Sequence, residues 1–369
     1  MRISLCNEGA PNSDRRTAGL NNQQSQLLQR GFTANFLVLV WADKPGTNMA
    51  RLGPVAQAAG ALTIILVCTA GADAQITDKP PFWAYTYNPP DFKPPPDDGQ
   101  PRHVPDSTAS YTVPQTRNRF LAPDWHPGDH PAMPAVVASG RQPDVYACGF
   151  CHRASGTGGP ENADIAGLPV AYFIQQMQDY RSGKRSTALP DRIPQAWMIS
   201  LAKAANDDEI KAAAEYFAAI KPKKLVDVVE TETVPKPTVA GWFFVTKNDE
   251  REPIGMRIIE TPADVDRFAN RDSRVRFIAY VPPGSVATGR GLAAKPEIAC
   301  AACHGEKLTG TEVVPGIAGR SPTYIFRQLY EYRHGFRAGS ESKPMIDVVK
   351  ALNEADFLAL AAYLATLER

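Results

Sequence analysis

The sequence has no excess of charge of either sign, with 40 Lys and Arg against 39 Asp and Glu in 369 residues. The formal net charge of +1 therefore gives no indication of nucleic acid or an anionic membrane as the main partner. Cysteine and histidine are also scarce, with six of each, so their positions carry information. The hydrophobic content of 43% suffices for packed cores, and the length predicts two or three domains.

Long hydrophobic runs are missing too. The apolar run at residues 58–70 is shorter than the roughly 18 residues that a membrane-spanning helix needs. Arg51 precedes it and Ala72-Asp73-Ala74 follows it, the order of a secretory signal with a small-residue cleavage site. We therefore expect residues 1–74 to be an upstream segment and signal peptide, cleaved after about Ala74, and the mature protein to be periplasmic. Translation is expected to begin at Met49; an uncleaved membrane anchor and a buried helix remain alternatives.

Proline, in contrast, is abundant, and 14 of the 33 prolines lie in residues 75–136. Proline lacks a backbone donor and restricts the residue before it, so this segment is either a wrapping arm or a flexible leader. A disordered linker would not usually carry so many aromatic residues. These are Phe82, Trp83, Tyr85, Tyr87, Phe92 and Trp125. We expect a Pro-rich arm that packs over a domain surface.

Four of the cysteines belong to an internal repeat. The run CGFCH at residues 148–152 recurs as CAACH at residues 300–304. Further positions match on both sides of the motif, so one unit occurs twice, at residues 137–222 and 284–369. Two copies are too few for a solenoid and predict tandem domains. Among the matched pairs are Tyr172 with Tyr324, Gln176 with Gln328, Tyr180 with Tyr332, Met198 with Met345 and Asn206 with Asn353.

Each unit has the pattern of helices. Apolar residues at i, i+3, i+4 and i+7 predict one long helix after the motif and a closing helix at the end of each unit. Gly183 and Gly335 stop the long helices, and Asn206 and Asn353 are natural N-caps for the closing ones. The fold class is therefore mostly α.

Residues 223–283, between the two units, have a different pattern. Three short runs, at residues 225–231, 241–245 and 256–260, are rich in β-branched and aromatic residues and predict strands. Residues 262–270 add a helical turn or two. We interpret this segment as a small β-rich insertion that joins the two units.

The repeated motif itself indicates the chemistry. Cys-x-x-Cys-His is the attachment signal of c-type haem, in which two thiols bind the haem vinyl groups and the histidine binds iron. A single copy could also be a redox dithiol or half of a zinc site. Two copies in an exported chain, with no cysteines left to complete zinc tetrads, favour two covalent haem c groups. The attachment residues are Cys148, Cys151, Cys300 and Cys303, and the iron ligands are His152 and His304.

A sixth iron ligand should come from methionine, since His/Met ligation is typical of cytochromes c. Met198 and Met345 are the only methionines matched across the repeat, so we expect them to bind the two irons. Met177 has Leu329 as its repeat counterpart, which fits a core residue. The alternative for both candidates is an ordinary core methionine.

The histidines outside the motifs have no repeat partners. His126 and His130 lie in one short loop, where they could bind a metal. Pro127 and Gly128 argue against a helical ligand pair, so a solvated loop is the favoured interpretation.

With these motifs, both units resemble class I cytochrome c domains. The whole chain resembles periplasmic dihaem cytochromes c built of two such domains. The resemblance implies a helical fold around each haem and one-electron transfer. Segment 315–319 resembles the loop whose carbonyl accepts a hydrogen bond from the ligand histidine, with Pro315 in the second unit and Ala163 at the matching position in the first.

Two functions follow as expectations. The favoured one is a periplasmic electron carrier, or the electron-accepting subunit of a dehydrogenase or oxidase chain, which is not itself an enzyme. Its partners would be redox proteins (a dehydrogenase, an oxidase or another cytochrome), with association with a membrane complex left open. The alternative is a dihaem enzyme of the peroxidase type, in which one iron keeps an open position.

Overall fold

Helices are the main regular structure of the described chain, which has twelve α-helices and five strands. The computed structural model describes residues 79–94 and 96–369, without the side chains of residues 247–249. The expected signal peptide and its cleavage site at residues 1–74 lie outside the described residues. Within them, no helix is long and apolar enough to cross a membrane.

The first half of the described chain is helical and contains the first motif. Its α-helices are α1 (Val113–Arg117), α2 (Ala135–Ala138), α3 (Cys148–His152), α4 (Val170–Arg181), α5 (Ile193–Ala204) and α6 (Asp207–Ala218). The first motif forms α3, the predicted long helix is α4, and the predicted closing helix is α6.

A β-rich insertion follows. Its elements are β1 (Val226–Glu230), β2 (Thr233–Ala240), β3 (Phe243–Pro253), β4 (Ile259–Pro262), α7 (Val265–Ala269) and β5 (Phe277–Val281). Strands β1, β5 and β4 form one sheet, in which β1 pairs in parallel with β5 and β4 pairs antiparallel with β5. Strands β2 and β3 form a separate antiparallel hairpin.

The second half repeats the helical pattern of the first. Its helices are α8 (Ser285–Ala293), α9 (Cys300–His304), α10 (Pro322–Arg333), α11 (Lys343–Val349) and α12 (Glu354–Thr366). Helix α9 contains the second motif and therefore corresponds to α3. By the same sequence matches, α10 corresponds to α4, α11 to α5 and α12 to α6.

The helix ends form as their sequences predict. Asn206 and Asn353 each accept a hydrogen bond from the backbone N–H three residues on, and each is part of a reciprocal capping box. Helices α4 and α10 end just before Gly183 and Gly335, which both have a positive φ of 76°. Glycine adopts this left-handed conformation without steric cost, so it ends a helix readily.

Each repeat surrounds its own apolar core. The stripe residues of α4 and α6 pack in one core, and those of α10 and α12 pack in another. Helix α8 packs directly on α12: a Cβ on Gly289 would lie 2.0 Å from the carbonyl oxygen of Ala359. Only glycine permits this close approach of the two helices.

The Pro-rich arm packs against the folded chain, as expected. Tyr85 is buried, and the Trp83 ring lies 4.4 Å from the Phe326 ring of α10, centroid to centroid. The Arg327 guanidinium donates a hydrogen bond to the carbonyl of Ala84 at 2.9 Å. The arm is thus bound to the second repeat both by aromatic packing and by a buried polar contact.

The insertion departs from its predicted strands in three places. Residues 256–258 are not a strand, and β4 begins only at Ile259. Gly241 and Trp242, expected in a strand, form the turn between β2 and β3, with positive φ angles of 65° and 73°. Strands β2 and β5 were not predicted at all. Strand β2 was missed because Pro235 and Pro237 argue against a strand. In the structure β2 pairs only with β3 and bulges between these two prolines.

Candidate functional site

The first cavity brings together every residue predicted for the first site. Its lining includes Cys148, Cys151 and His152 of α3 and Met198 of α5. The cavity measures about 90 Å³. Along the chain, helix α5 comes between the long helix α4 and the closing helix α6. Its Met198 lines the same cavity as the motif.

The second cavity brings together the four matching residues. Its lining includes Cys300, Cys303 and His304 of α9 and Met345 of α11. This cavity is larger, about 550 Å³. The repeat in sequence is therefore a repeat of the site: two thiols, one imidazole and one thioether line each cavity.

Backbone carbonyls orient both motif histidines. Nδ1 of His152 lies 2.7 Å from the carbonyl oxygen of Ala163, and Nδ1 of His304 lies 2.7 Å from that of Pro315. The hydrogen bonds predicted from these two loops are thus confirmed. A proton on Nδ1 leaves Nε2 as the ring nitrogen available to a metal. Burial lowers the pKa of both histidines, which favours the neutral form that binds metal.

The four thiols are free, as covalent attachment requires. Burial raises the pKa of Cys148 to about 12 and also raises the pKa of Cys151 and Cys300. A catalytic redox dithiol requires the opposite shift, toward a stable thiolate. Burial therefore does not favour a stable thiolate at Cys148, Cys151 or Cys300.

The other methionines fall in different places. Met177 is buried in the core of the first repeat, as predicted, but it also lines the first cavity. Its counterpart Leu329 lines the second cavity, so an apolar residue occupies this position in both repeats. Met133 packs at the edge of the first core, and Met256 is exposed.

A polar network that no sequence pattern predicted joins the two cavities. Arg185 donates to the side-chain oxygens of Gln176 and Gln328, both at 2.9 Å. Arg337 donates to the same two oxygens, at 2.7 and 3.0 Å. The two arginines occupy matching positions in the repeat, and their backbones pair in an isolated bridge. Gln176 on α4 and Gln328 on α10 are matched positions of the repeat, but their match does not by itself show that the two repeats meet here.

The loop with His126 and His130 was interpreted either as a metal site or, preferably, as a solvated loop. His126 is buried, and its Nε2 lies 3.0 Å from the Asp272 carboxylate, so the solvated loop was wrong for this residue. His130 contacts the Asp124 carboxylate and the carbonyl of Pro131. In the part of the chain that the structure describes, no three His, Cys, Asp or Glu residues are grouped to hold a metal ion. The loop instead connects the arm to the insertion.

The donor sets fit covalently bound haem. Each cavity combines free thiols on one helical turn with an oriented neutral imidazole and a thioether, the ligand types that c-type haem iron takes. The cytochrome c family model matches residues 286–368, which include the whole second motif. Cytochrome c-554(548) of Halomonas halodenitrificans is 33% identical over 70 residues, covering 19% of this chain and 84% of that protein. The chain belongs to the cytochrome c family.

Two further matches cover more of the chain. A thiosulfate dehydrogenase electron acceptor of Thiomonas intermedia is 26% identical to this cytochrome over 237 residues, 63% of this chain and 84% of that protein. The structure of the thiosulfate dehydrogenase TsdBA of Marichromatium purpuratum is 26% identical with a TM-score of 0.41. That match covers 62% of this chain and only 38% of the other chain. As a c-type cytochrome, the protein transfers electrons through haem.

Proposed function

We propose that this cytochrome binds two haems and passes single electrons as the acceptor subunit of a periplasmic dehydrogenase. Cys148 and Cys151 would attach the first haem, and Cys300 and Cys303 the second. His152 with Met198, and His304 with Met345, would be the axial ligands. The peroxidase-type alternative is not favoured, because a methionine lies on the wall of each cavity.

One observation carries the proposal. The two cavities are lined by the same four residue types, which come from matching positions of the repeat. A chance motif would not have a correctly oriented histidine and a matched methionine facing the same cavity twice. The family model covers only the second copy, so the first copy is supported by its geometry and its matching positions.

When bound, each haem would supply a one-electron change at its iron. The protein's contribution is to fix the ligands, exclude water and set the potential. The carbonyls of Ala163 and Pro315 hold the histidine rings in one orientation. Apolar residues of α4 and α10 form part of the walls of both cavities. The Arg–Gln network between the cavities holds the two sites at a fixed separation.

The proposed partner class comes from a relative. The relative from Thiomonas intermedia is described as an electron acceptor of thiosulfate dehydrogenase, and this chain covers 84% of it. We infer a redox protein partner, most simply a dehydrogenase that oxidises a small inorganic or organic substrate. The near-neutral charge gives no long-range steering, so recognition would depend on local surface contacts.

A reductive titration tests the proposal. The native protein should take up about two electrons per chain, and its oxidised and reduced spectra should both be those of low-spin, six-coordinate haem. Electrons from a dehydrogenase purified with the protein should produce the same final spectrum. Uptake of one electron, or a high-spin haem that reacts rapidly with peroxide, would contradict the proposal. The second result would favour the dihaem enzyme of the peroxidase type.

The periplasmic location has its own test. The apolar run and the Ala72-Asp73-Ala74 site predict a mature chain that begins at Gln75. N-terminal sequencing of protein from the periplasmic fraction should give this start. Chains that begin near Met1 and stay in the cytoplasm would contradict it.

A further inference from the structure

The two motif helices have the same sequence pattern but different surroundings. In α9, Ala301, Ala302 and Cys303 are all exposed to solvent. In α3, the matching Gly149 and Phe150 are buried, and Cys151 is half-buried. The side of the first motif helix at Gly149 and Phe150 is therefore covered, whereas the matching residues of the second motif are open to solvent.

Two segments outside the repeat cover the first motif. We call them together the cap: residues 111–130 of the arm and residues 264–276 of the insertion. Three contacts fix the insertion half in place. Trp125 Nε1 donates to the carbonyl of Asn270 at 2.7 Å, His126 pairs with Asp272 at 3.0 Å, and the Thr157 hydroxyl donates to the carbonyl of Ser273 at 3.2 Å.

Arg271 is the cap residue that reaches the motif. Its guanidinium carbon lies 3.6 Å from the centroid of the Phe150 ring. Nη1 donates to the carbonyl of Phe150 at 2.9 Å, and Nε donates to the carbonyl of Thr116 at 2.7 Å. Its φ of 61° lies in the left-handed region, which is uncommon for a residue with a side chain and is kept only where the surroundings require it. The charge is thus held in one place, against Phe150, the residue just before Cys151.

The charges around this contact do not cancel. Arg153, the residue after the motif histidine, is fully buried beneath Phe268 of the cap. Its nearest carboxylate is Glu161, at 4.0 Å. The Asp272 carboxylate already pairs with Arg267 at 2.6 Å and with His126. Two guanidiniums against the one carboxylate of Glu161 therefore leave a positive charge beside the first motif.

The second motif has no counterpart to this arrangement. Ala302 replaces Phe150, and Gly305 replaces Arg153, so both the stacking ring and the buried cation are missing there. A buried cation of the second repeat, Arg320, lies on the other side, at the histidine loop, where it donates to the carbonyl of Gly316. Arg185 and Arg337 lie between the two cavities at matching positions, so they do not distinguish the sites, whereas Arg271 lies in the insertion and has no counterpart in the second repeat.

We propose that Arg271 raises the reduction potential of the first haem and leaves that of the second unchanged. The inference rests on the proposed function, since it requires a haem at Cys148 and Cys151. A ferric haem carries one more positive charge than a ferrous one, so a fixed cation nearby favours the ferrous form. The half-buried setting weakens solvent screening of this charge. The insertion thus makes two chemically identical sites inequivalent, and Arg271 is a positioning and tuning residue rather than a ligand.

Spectroelectrochemical titration of Arg271→Gln tests this proposal. One of the two one-electron waves should move to lower potential, so that the ratio of reduced to oxidised haem at a fixed ambient potential falls about tenfold. A unit charge at roughly 10 Å through an effective dielectric constant of about 20 has an effect of this size. The wave that moves should be the one that Met198→Leu also changes, which assigns it to the first haem.

Three controls separate charge from structure. Arg271→Lys keeps the charge and should restore most of the potential. Arg276→Gln removes an exposed arginine of the same segment, which pairs with Asp227, and should move neither wave. The haem content and the spectra of Arg271→Gln should stay at wild-type values. A loss of haem would instead count against the proposed attachment site and the proposed function. Unchanged potentials, or equal shifts of both waves, would overturn the proposal.

Discussion

Replacing Cys148 and Cys151 together by Ala will yield a mature chain that carries one haem instead of two. The thioether bonds need both thiols of the motif, and the described chain has no free cysteine apart from those of the two motifs to take their place. The second cavity has its own complete donor set and should keep its haem. Mass spectrometry of the intact protein measures the difference directly, as a loss of the mass of one haem.

The reciprocal variant is the matched control. Replacing Cys300 and Cys303 by Ala should remove the other haem and leave the first. If a variant folds poorly, proteolysis of the wild-type protein gives the same information, because each motif should be recovered as a separate haem-bearing peptide. A mature wild-type chain with one haem, or with haem on one motif peptide only, would refute the dihaem assignment.

Local signals explain why the repeated helices could be predicted from the sequence. The stripe on α4, the glycine after it and the Asn206 capping box all lie within a few residues of the structure that they specify. The same signals recur in α10 and α12, so each prediction was made twice. The hydrogen bonds from His152 and His304 were predicted from the resemblance of their loops to those of class I cytochromes c, and their carbonyl partners lie 11 residues further along the chain.

Long-range contacts explain what the sequence did not reveal. Strand β5 pairs in parallel with β1, and the register from Val226 with Phe277 onward joins segments some 50 residues apart. Arg271 and Phe150 are separated by 121 positions. His126 looked like a loop residue because its partner, Asp272, lies 146 positions away. No local pattern encodes such pairs, so their discovery required the folded chain.

The second large effect concerns the sixth iron ligand. Replacing Met198 by Leu should allow carbon monoxide to bind about one haem per reduced chain, whereas the wild-type protein binds little, because the thioether that closes the coordination sphere is gone. Leucine keeps the apolar volume, so the core of the first repeat should lose less than about 1.5 kcal/mol of stability. Met345→Leu should open the other haem in the same way. Difference spectra of the reduced proteins, with and without carbon monoxide, measure the number of open sites.

Met177→Leu is the control that makes this experiment decisive. Met177 lines the same cavity as Met198 and belongs to the same core, so the two substitutions make the same chemical change in one site. Leu329 already occupies the matching position of the second cavity, where it coexists with Met345. Met177→Leu should therefore leave carbon monoxide binding at the wild-type level. If it opens the haem and Met198→Leu does not, the ligand lies on α4 rather than α5, and the two repeats bind iron differently. The wild-type protein could already bind carbon monoxide at one haem, with neither variant changing that level. One iron would then have an open position in the native molecule, and the dihaem enzyme would be favoured over the electron carrier.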